Sequence, residues 1–490
     1  MPSTNGPRRG FTRRDFLAGA AAGLGVGIPA TWYAARHLGG DLERLGYRSY
    51  AGRTQEVSDP IYAMPGRFPG RVVEVRHPAA VDRNNHIDAT TVSSMVDRGM
   101  VELVGGDPSD PLSAWRRFFD PACDVVGIKV NPVGRKPQPG EGGRVPGAVG
   151  AISNPEVLIK VVSSLRAIGF PPQNIIVFER YAIEFAEAGY EALMRTRPLD
   201  GVRWLASSYT GGSLQVDIAG FDNGRDNCPP ELARHVVGYD PDHFAVMGFC
   251  TPQHSKNDDR RFRSHLSLIV TRLCSKIINL PVLKDHRSAG VTLALKNLSH
   301  GMNNNVARSH LADIVHGLQG AGQMVTGPNQ CNTFIPRAVA QHALRQKATL
   351  HILDGLIGVY EGGPGCWNKT WGTWRHKGLF FATDPVALDH VGWDLIDAKR
   401  AQMGWAPVER MGWVNQTPAR TVATHLAPFA ASDPVSESVL AAGARNLEEG
   451  RATEVFNLRQ PDHVVLAGQL GLGTFDREQI EHRLIEMAVS

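Results

Sequence analysis

The chain has 490 residues, 42% of them hydrophobic and 20% charged, a globular composition that excludes a disordered or fibrous protein. The formal charge is +4, and residues 1–40 carry all of it, through Arg8, Arg9, Arg13, Arg14 and Arg36 against Asp15. The rest of the chain is neutral and offers no basic field to a nucleic-acid partner.

The first forty residues read as an address. Thr12-Arg13-Arg14-Asp15-Phe16-Leu17 is followed by a weakly apolar run, Leu17 to Ala35. A charged head before such a run is the pattern of a twin-arginine export signal. It implies the twin-arginine translocase as a partner and a periplasmic or extracytoplasmic location. The run approaches the roughly 20 residues a bilayer needs. Gly19, Gly23, Gly25, Gly27 and Pro29 weaken it as a membrane helix, so cleaved and anchored forms both stay open. No later segment is long and apolar enough to span. Gly23-x-Gly25-x-Gly27 follows no strand and is not a dinucleotide fingerprint. The six cysteines show no Cys-x-x-Cys spacing, so an iron–sulfur cluster is not supported, and mostly free thiols are expected.

Four segments follow: the signal or anchor (1–40), an N-terminal arm with a small α/β extension (41–120), an α/β core (121–404) and a C-terminal extension (405–490). Residues 41–70 read as a linker. Arg71–Arg76 alternates like a strand, and Ala89–Val101 suits a helix. Asp124–Asn131 is an apolar run with polar ends, the pattern of a buried parallel strand. A glycine- and proline-rich loop (132–150) leads to a helix capped by Asn154 and ended by Gly169. Asn174–Arg180 is a second buried strand, Ile183–Met194 a helix, and Val202–Ala206 a strand. This β-α-β-α-β order predicts a mostly parallel sheet with helices on both faces. Further strands are expected at Ser275–Leu283, Thr349–Leu353 (ended by Asp354-Gly355), Gly378–Thr383 and His463–Leu466. Helices are expected at Val291–Leu298, Leu311–Leu318, Phe334–Gln346 and from Asp384-Pro385 to Ala401.

Polar groups gather at the carboxyl ends of these strands, where open α/β sheets bind ligands. Lys129 and Asn131 end the first, Glu179 and Arg180 the second; Lys284, Asp285 and His286 follow Leu283, and Asp354 and Asp384 end later strands. The densest patch is 284–310, with two lysines, two arginines, three histidines and four asparagines. Solvated faces normally use Glu and Lys, so this composition points to a site. Lys296 and His300 are four apart and share a helix face. The catalytic candidates are His286, His300, Lys284 and Lys296; the substrate-binding candidates are Lys129, Asn131, Asn297, Asn304 and Arg308. A divalent metal is a weaker candidate, through His310 and Asp354, with His286, His300, His316 and Asp313 as further donors. Cys250, His254, His265 and Cys274 form a second loose set. Gly362-Gly-Pro-Gly365 reads as a turn whose amides could cradle an anion. Trp367, Trp371 and Trp374 read as a lid, a protein interface or a satellite core.

The order Val-Gly-Ile-Lys-Val-Asn (126–131), Asn-Pro-Glu-Val (154–157), Asn-Ile-Ile-Val (174–177), Ile-Ile-Asn-Leu-Pro-Val-Leu-Lys-Asp-His (277–286), Val-Thr-Leu-Ala-Leu-Lys-Asn-Leu (291–298) and Ala-Thr-Asp-Pro-Val-Ala-Leu-Asp (382–389) resembles the DUF362 family, a domain of unknown function, over about residues 121–400. The resemblance implies Lys129, Lys284, His286, Lys296, Asn297, Asp354 and Asp384 as the matching polar positions. Many relatives carry ferredoxin-like cysteine runs, which this chain lacks. The family supplies no reaction.

The residues point first to an exported enzyme acting on a small anionic substrate, with a metal or redox cofactor as an open addition. The alternatives are a non-catalytic periplasmic ligand- or metal-binding protein, and an accessory subunit using the Trp367–Trp374 loop.

Overall fold

In the computed structural model the described residues are 63–133, 150, 152–209, 228–246, 263–286, 289–304, 306–309, 331–365, 371–410 and 461–488. The strands among them are β1 (Arg71–Arg76), β2 (Val126–Lys129), β3 (Ile175–Tyr181), β4 (Arg203–Ser208), β5 (Tyr239–Val246), β6 (Arg263–Ser267), β7 (Lys276–Asn279), β8 (Val282–His286), β9 (Gly290–Val291), β10 (Ala348–Glu361), β11 (Gly372–Trp374), β12 (Gly378–Ala382) and β13 (Glu481–Glu486).

The main sheet runs β13-β1-β12-β10-β7-β2-β3-β4. From β10 to β4 every neighbouring pair is parallel, and β12 is antiparallel to both β10 and β1. β13 runs parallel to β1. β8 and β11 pair with β10, while β5 and β6 form a separate hairpin-like ladder. This is the mostly parallel α/β sheet the sequence predicts. Strands from the arm (β1) and the C-terminal extension (β13) belong to the same sheet as the core strands.

Burial on both faces follows from the apolar runs. Ile175 and Val177 of β3 face the helices Ala89–Val104 and Pro155–Ala167, while Ile176 and Phe178 face the opposite core with Leu295 and Leu298. The side-chain period of two sends alternate residues to opposite layers.

Several elements differ from expectation. The run 275–283 is two strands, because Pro281 interrupts the ladder after Asn279; β8 then carries Lys284, Asp285 and His286 inside a strand. Asp354-Gly355 does not end a strand: β10 continues to Glu361. Gly355 is there for space, since a Cβ would lie 2.7 Å from the Phe380 ring. The run His463–Leu466 is helical, within Asp462–Gln469, because three apolar residues do not distinguish strand from buried helix. Residues 183–194 break into Ala182–Glu187 and Tyr190–Leu193 at Gly189, whose φ is 87°. The stretch 334–346 likewise divides into Cys331–Val339 and His342–Lys347. The signal, most of the linker, nearly all of the loop 132–150 and the expected helix Leu311–Leu318 lie outside the described residues. Among the described residues no helix is long and apolar enough to cross a membrane.

Candidate functional site

The chain leaves β2 toward β3 and β4, but reaches β7 and β10 on the other side of β2. The strand order therefore reverses between β2 and β7, the kind of switch point at whose carboxyl ends open α/β sheets bind ligands. Lys129 and Asn279 end these two strands in register.

Lys129 is fully buried and ion-paired to Glu179 of β3. Its Nζ also donates to Asn297 Oδ1 at 3.2 Å. Asn297 Nδ2 donates in turn to Asn279 Oδ1 at 2.7 Å, and Asn279 Nδ2 to Ala294 O at 3.2 Å. Burial lowers the Lys129 ammonium below its usual range, against the pull of Glu179. Gly301 makes this packing possible, since a Cβ there would overlap Lys129 Cε and the Asn297 carbonyl.

Lys284 enters from β8. Its Nζ donates to Asn131 Oδ1 at 3.2 Å and to Val133 O at 2.5 Å. Ser153 fixes Asn131, its Oγ accepting from the Asn131 amide at 2.9 Å. Burial pushes Lys284 down to about 7; Asp285 opposes this and the nearby charge of Lys296 adds to it.

Lys296 differs from the other two lysines. It is 5% exposed, and among the described residues its Nζ has neither a hydrogen bond nor a carboxylate partner. Burial pushes it down to about 8, with Cys331 pulling upward and Arg180 downward. Asn297 and His300 share its helix, Leu293–His300. Arg180 donates to His300 O at 2.9 Å, and the His300 ring is hydrogen-bonded to Ser299 Oγ (3.0 Å) and Ser309 Oγ (2.7 Å).

That helix is capped from outside. Leu293 has a φ of 39°, and Thr292 makes no side-chain cap. Asp389 of the helix Pro385–Gln402 accepts from the Ala294 amide at 2.7 Å and the Leu295 amide at 2.9 Å. Burial raises the Asp389 carboxyl well above its usual range, against these two bonds.

The other expected residues are placed as follows. His286 Nδ1 accepts from the Ala289 amide at 3.2 Å, at the end of β8. Asn304 is buried, its Oδ1 accepting from the His265 amide at 2.6 Å. Asp354 holds the Pro155–Ala167 helix: its Oδ2 accepts from the Asn154 amide (2.7 Å) and Nδ2 (2.8 Å), and burial pushes its carboxyl up to about 6. Asn154 thus occupies the N-cap position but donates its side chain to the sheet. Asp384 caps Pro385–Gln402 and also accepts from the amides of Gly70 and Thr474, a structural knot. In the Gly362–Gly365 turn the Gly363 amide donates to the chain's own Asp285 Oδ1 at 2.7 Å, and burial pushes that carboxyl up to about 7. Trp374 rests on Gly358 of β10. Arg308 has a described backbone only, and His310, His316, Asp313, Cys250, His254 and Trp367 lie outside the described residues. Among the described residues no three His, Cys, Asp or Glu side chains group as a metal site. Cys123 and Cys274 are free thiols.

The sequence passes over Asn279, Gly301, Asp389 and His463 as functional positions. His463 comes from the C-terminal extension and is fully buried; among the described residues its ring nitrogens have no hydrogen-bond partner, and it lies within electrostatic reach of Lys296. A polar residue inside a short apolar run was the available signal.

Residues 253–394 match the family model described as Domain of unknown function (DUF362). No curated protein matches the chain.

Proposed function

We propose that this chain, which carries a DUF362 domain, is an exported enzyme that holds a small anionic substrate at the carboxyl ends of β2 and β7. Lys296 carries the reading. A buried ammonium without a counter-ion is costly, and an anion relieves that cost. Lys284 and Arg180 extend the positive locus, and Asn131 holds the Lys284 amine. Lys284 titrates near neutral pH and supplies a proton donor or acceptor beside the substrate. Export rests on the Arg13-Arg14 segment, and no step requires a metal.

Isothermal titration of the purified full chain with citrate and with inorganic phosphate tests the binding half. At least one is expected to bind, and Lys296→Met to weaken it by about tenfold or more. Equal affinity in the variant, or no binding of either anion, overturns the assignment.

A further inference from the structure

We infer that Lys296 is a nucleophile that forms an imine with a small carbonyl compound carrying a carboxylate, of the 2-oxo acid class. The inference rests on the anion-site reading above and names the chemistry of that site.

The three buried lysines divide by their partners. Lys129 is committed to Glu179 and Asn297, and Lys284 donates to Asn131 and Val133. Lys296 alone of the three has no acceptor among the described residues. Among the described residues, those within electrostatic reach of it are Arg180, Lys284, Cys331 and His463, and none is a carboxylate. An amine kept from acids and next to other cations is biased toward its neutral, nucleophilic form, and burial adds to the bias. His463, buried and within electrostatic reach of Lys296, is a ring lacking a hydrogen-bond partner among the described residues. A structural lysine would be expected to show an acceptor; a reactive one keeps its lone pair available.

The step balances without a further reactant. The neutral Lys296 nitrogen attacks the carbonyl carbon, and the C=O π pair moves to oxygen. Lys284 takes a proton from the new nitrogen and returns it to the oxygen, giving a carbinolamine. The nitrogen then expels that oxygen, and the second amine proton leaves with it as water. The Asn131 amide nitrogen is the donor offered to the carboxylate, with the Arg180 charge nearby.

The test treats the full chain with pyruvate and sodium borohydride, followed by peptide mass spectrometry, with citrate titration of the same samples. A reduced pyruvate adduct on Lys296 is expected, absent in Lys296→Arg and slowed by excess citrate in the unaltered chain. Trapping should accelerate as pH rises through about 8, as Lys296 loses its proton. Adducts confined to surface lysines, or placed on Lys129 or Lys284, overturn the inference. No adduct with citrate binding intact overturns the imine and leaves the anion site standing. No adduct and no citrate binding removes both.

Discussion

Asp389 caps Ala294 across two helices: the carboxylate that ends the 382–389 motif accepts the first free amide of the helix that opens in the 291–298 motif, at 2.7 Å. Two sequence blocks almost a hundred residues apart are thus one device. The bond sets the position of Lys296, two residues on.

Asp389→Asn keeps one acceptor and turns an amide nitrogen toward the other N–H. A loss of about 1–2 kcal/mol is expected in chemical denaturation. Citrate affinity should fall as well, because the helix start shifts. Unchanged affinity with lowered stability would separate the cap from the site.

Lys129 and Lys296 should respond oppositely to the same change. Lys129→Met leaves Glu179 buried without its ion pair, for a loss of about 3–5 kcal/mol. Lys296→Met removes a buried charge with no partner among the described residues, so its stability should be equal or higher. Denaturation midpoints measure both, and a large loss in Lys296→Met would show that the lysine is structural.

Binding of sulfate, whose charge is constant near neutrality, isolates the lysines' titration. Lys284 and Lys296 lose their protons through about 7 and about 8, so affinity should be highest below 7 and fall above 8. Stability runs the other way. A lysine lowered to about 8 in the fold, against 10.5 ordinarily, binds fewer protons folded than unfolded in that window. Stability should therefore rise with pH from about 8 to 10.5, and less so in Lys296→Met.

Gly301→Ala places a methyl group where Lys129 Cε and the Asn297 carbonyl lie. Overpacking of this kind costs about 1–3 kcal/mol. Thermal melts should show the loss, and Lys129→Ala, which vacates the space, should reduce the additional penalty in the double variant.

Replacing Arg13 and Arg14 together by lysine should retain the protein in the cytoplasmic fraction. Unaltered export would contradict the twin-arginine reading.

The parallel layer was legible because its strands are buried on both faces, so Val126–Lys129 and Ile175–Tyr181 stand out as apolar runs with polar ends. Lys129, Lys284, Lys296 and Asn297 were legible for the same reason: each is a charged or amide group set in or against such a run. Strand continuity was not, since a proline splits 275–283 while β10 passes through Asp354-Gly355 unbroken. The roles of Asp354 and Asp389 depend on amides brought from Asn154 and Ala294, which no local pattern encodes. His463 reaches Lys296 only through tertiary packing of the helix Asp462–Gln469.

The most direct measurement is a crystal structure of the full chain grown near pH 6 and soaked in bromide, with the anion located by its anomalous signal. The expected peak lies within hydrogen-bonding distance of Lys296 Nζ, between the carboxyl ends of β2 and β7. A Lys296 ammonium paired instead with a carboxylate of the chain, and no anion beside it, would contradict the site.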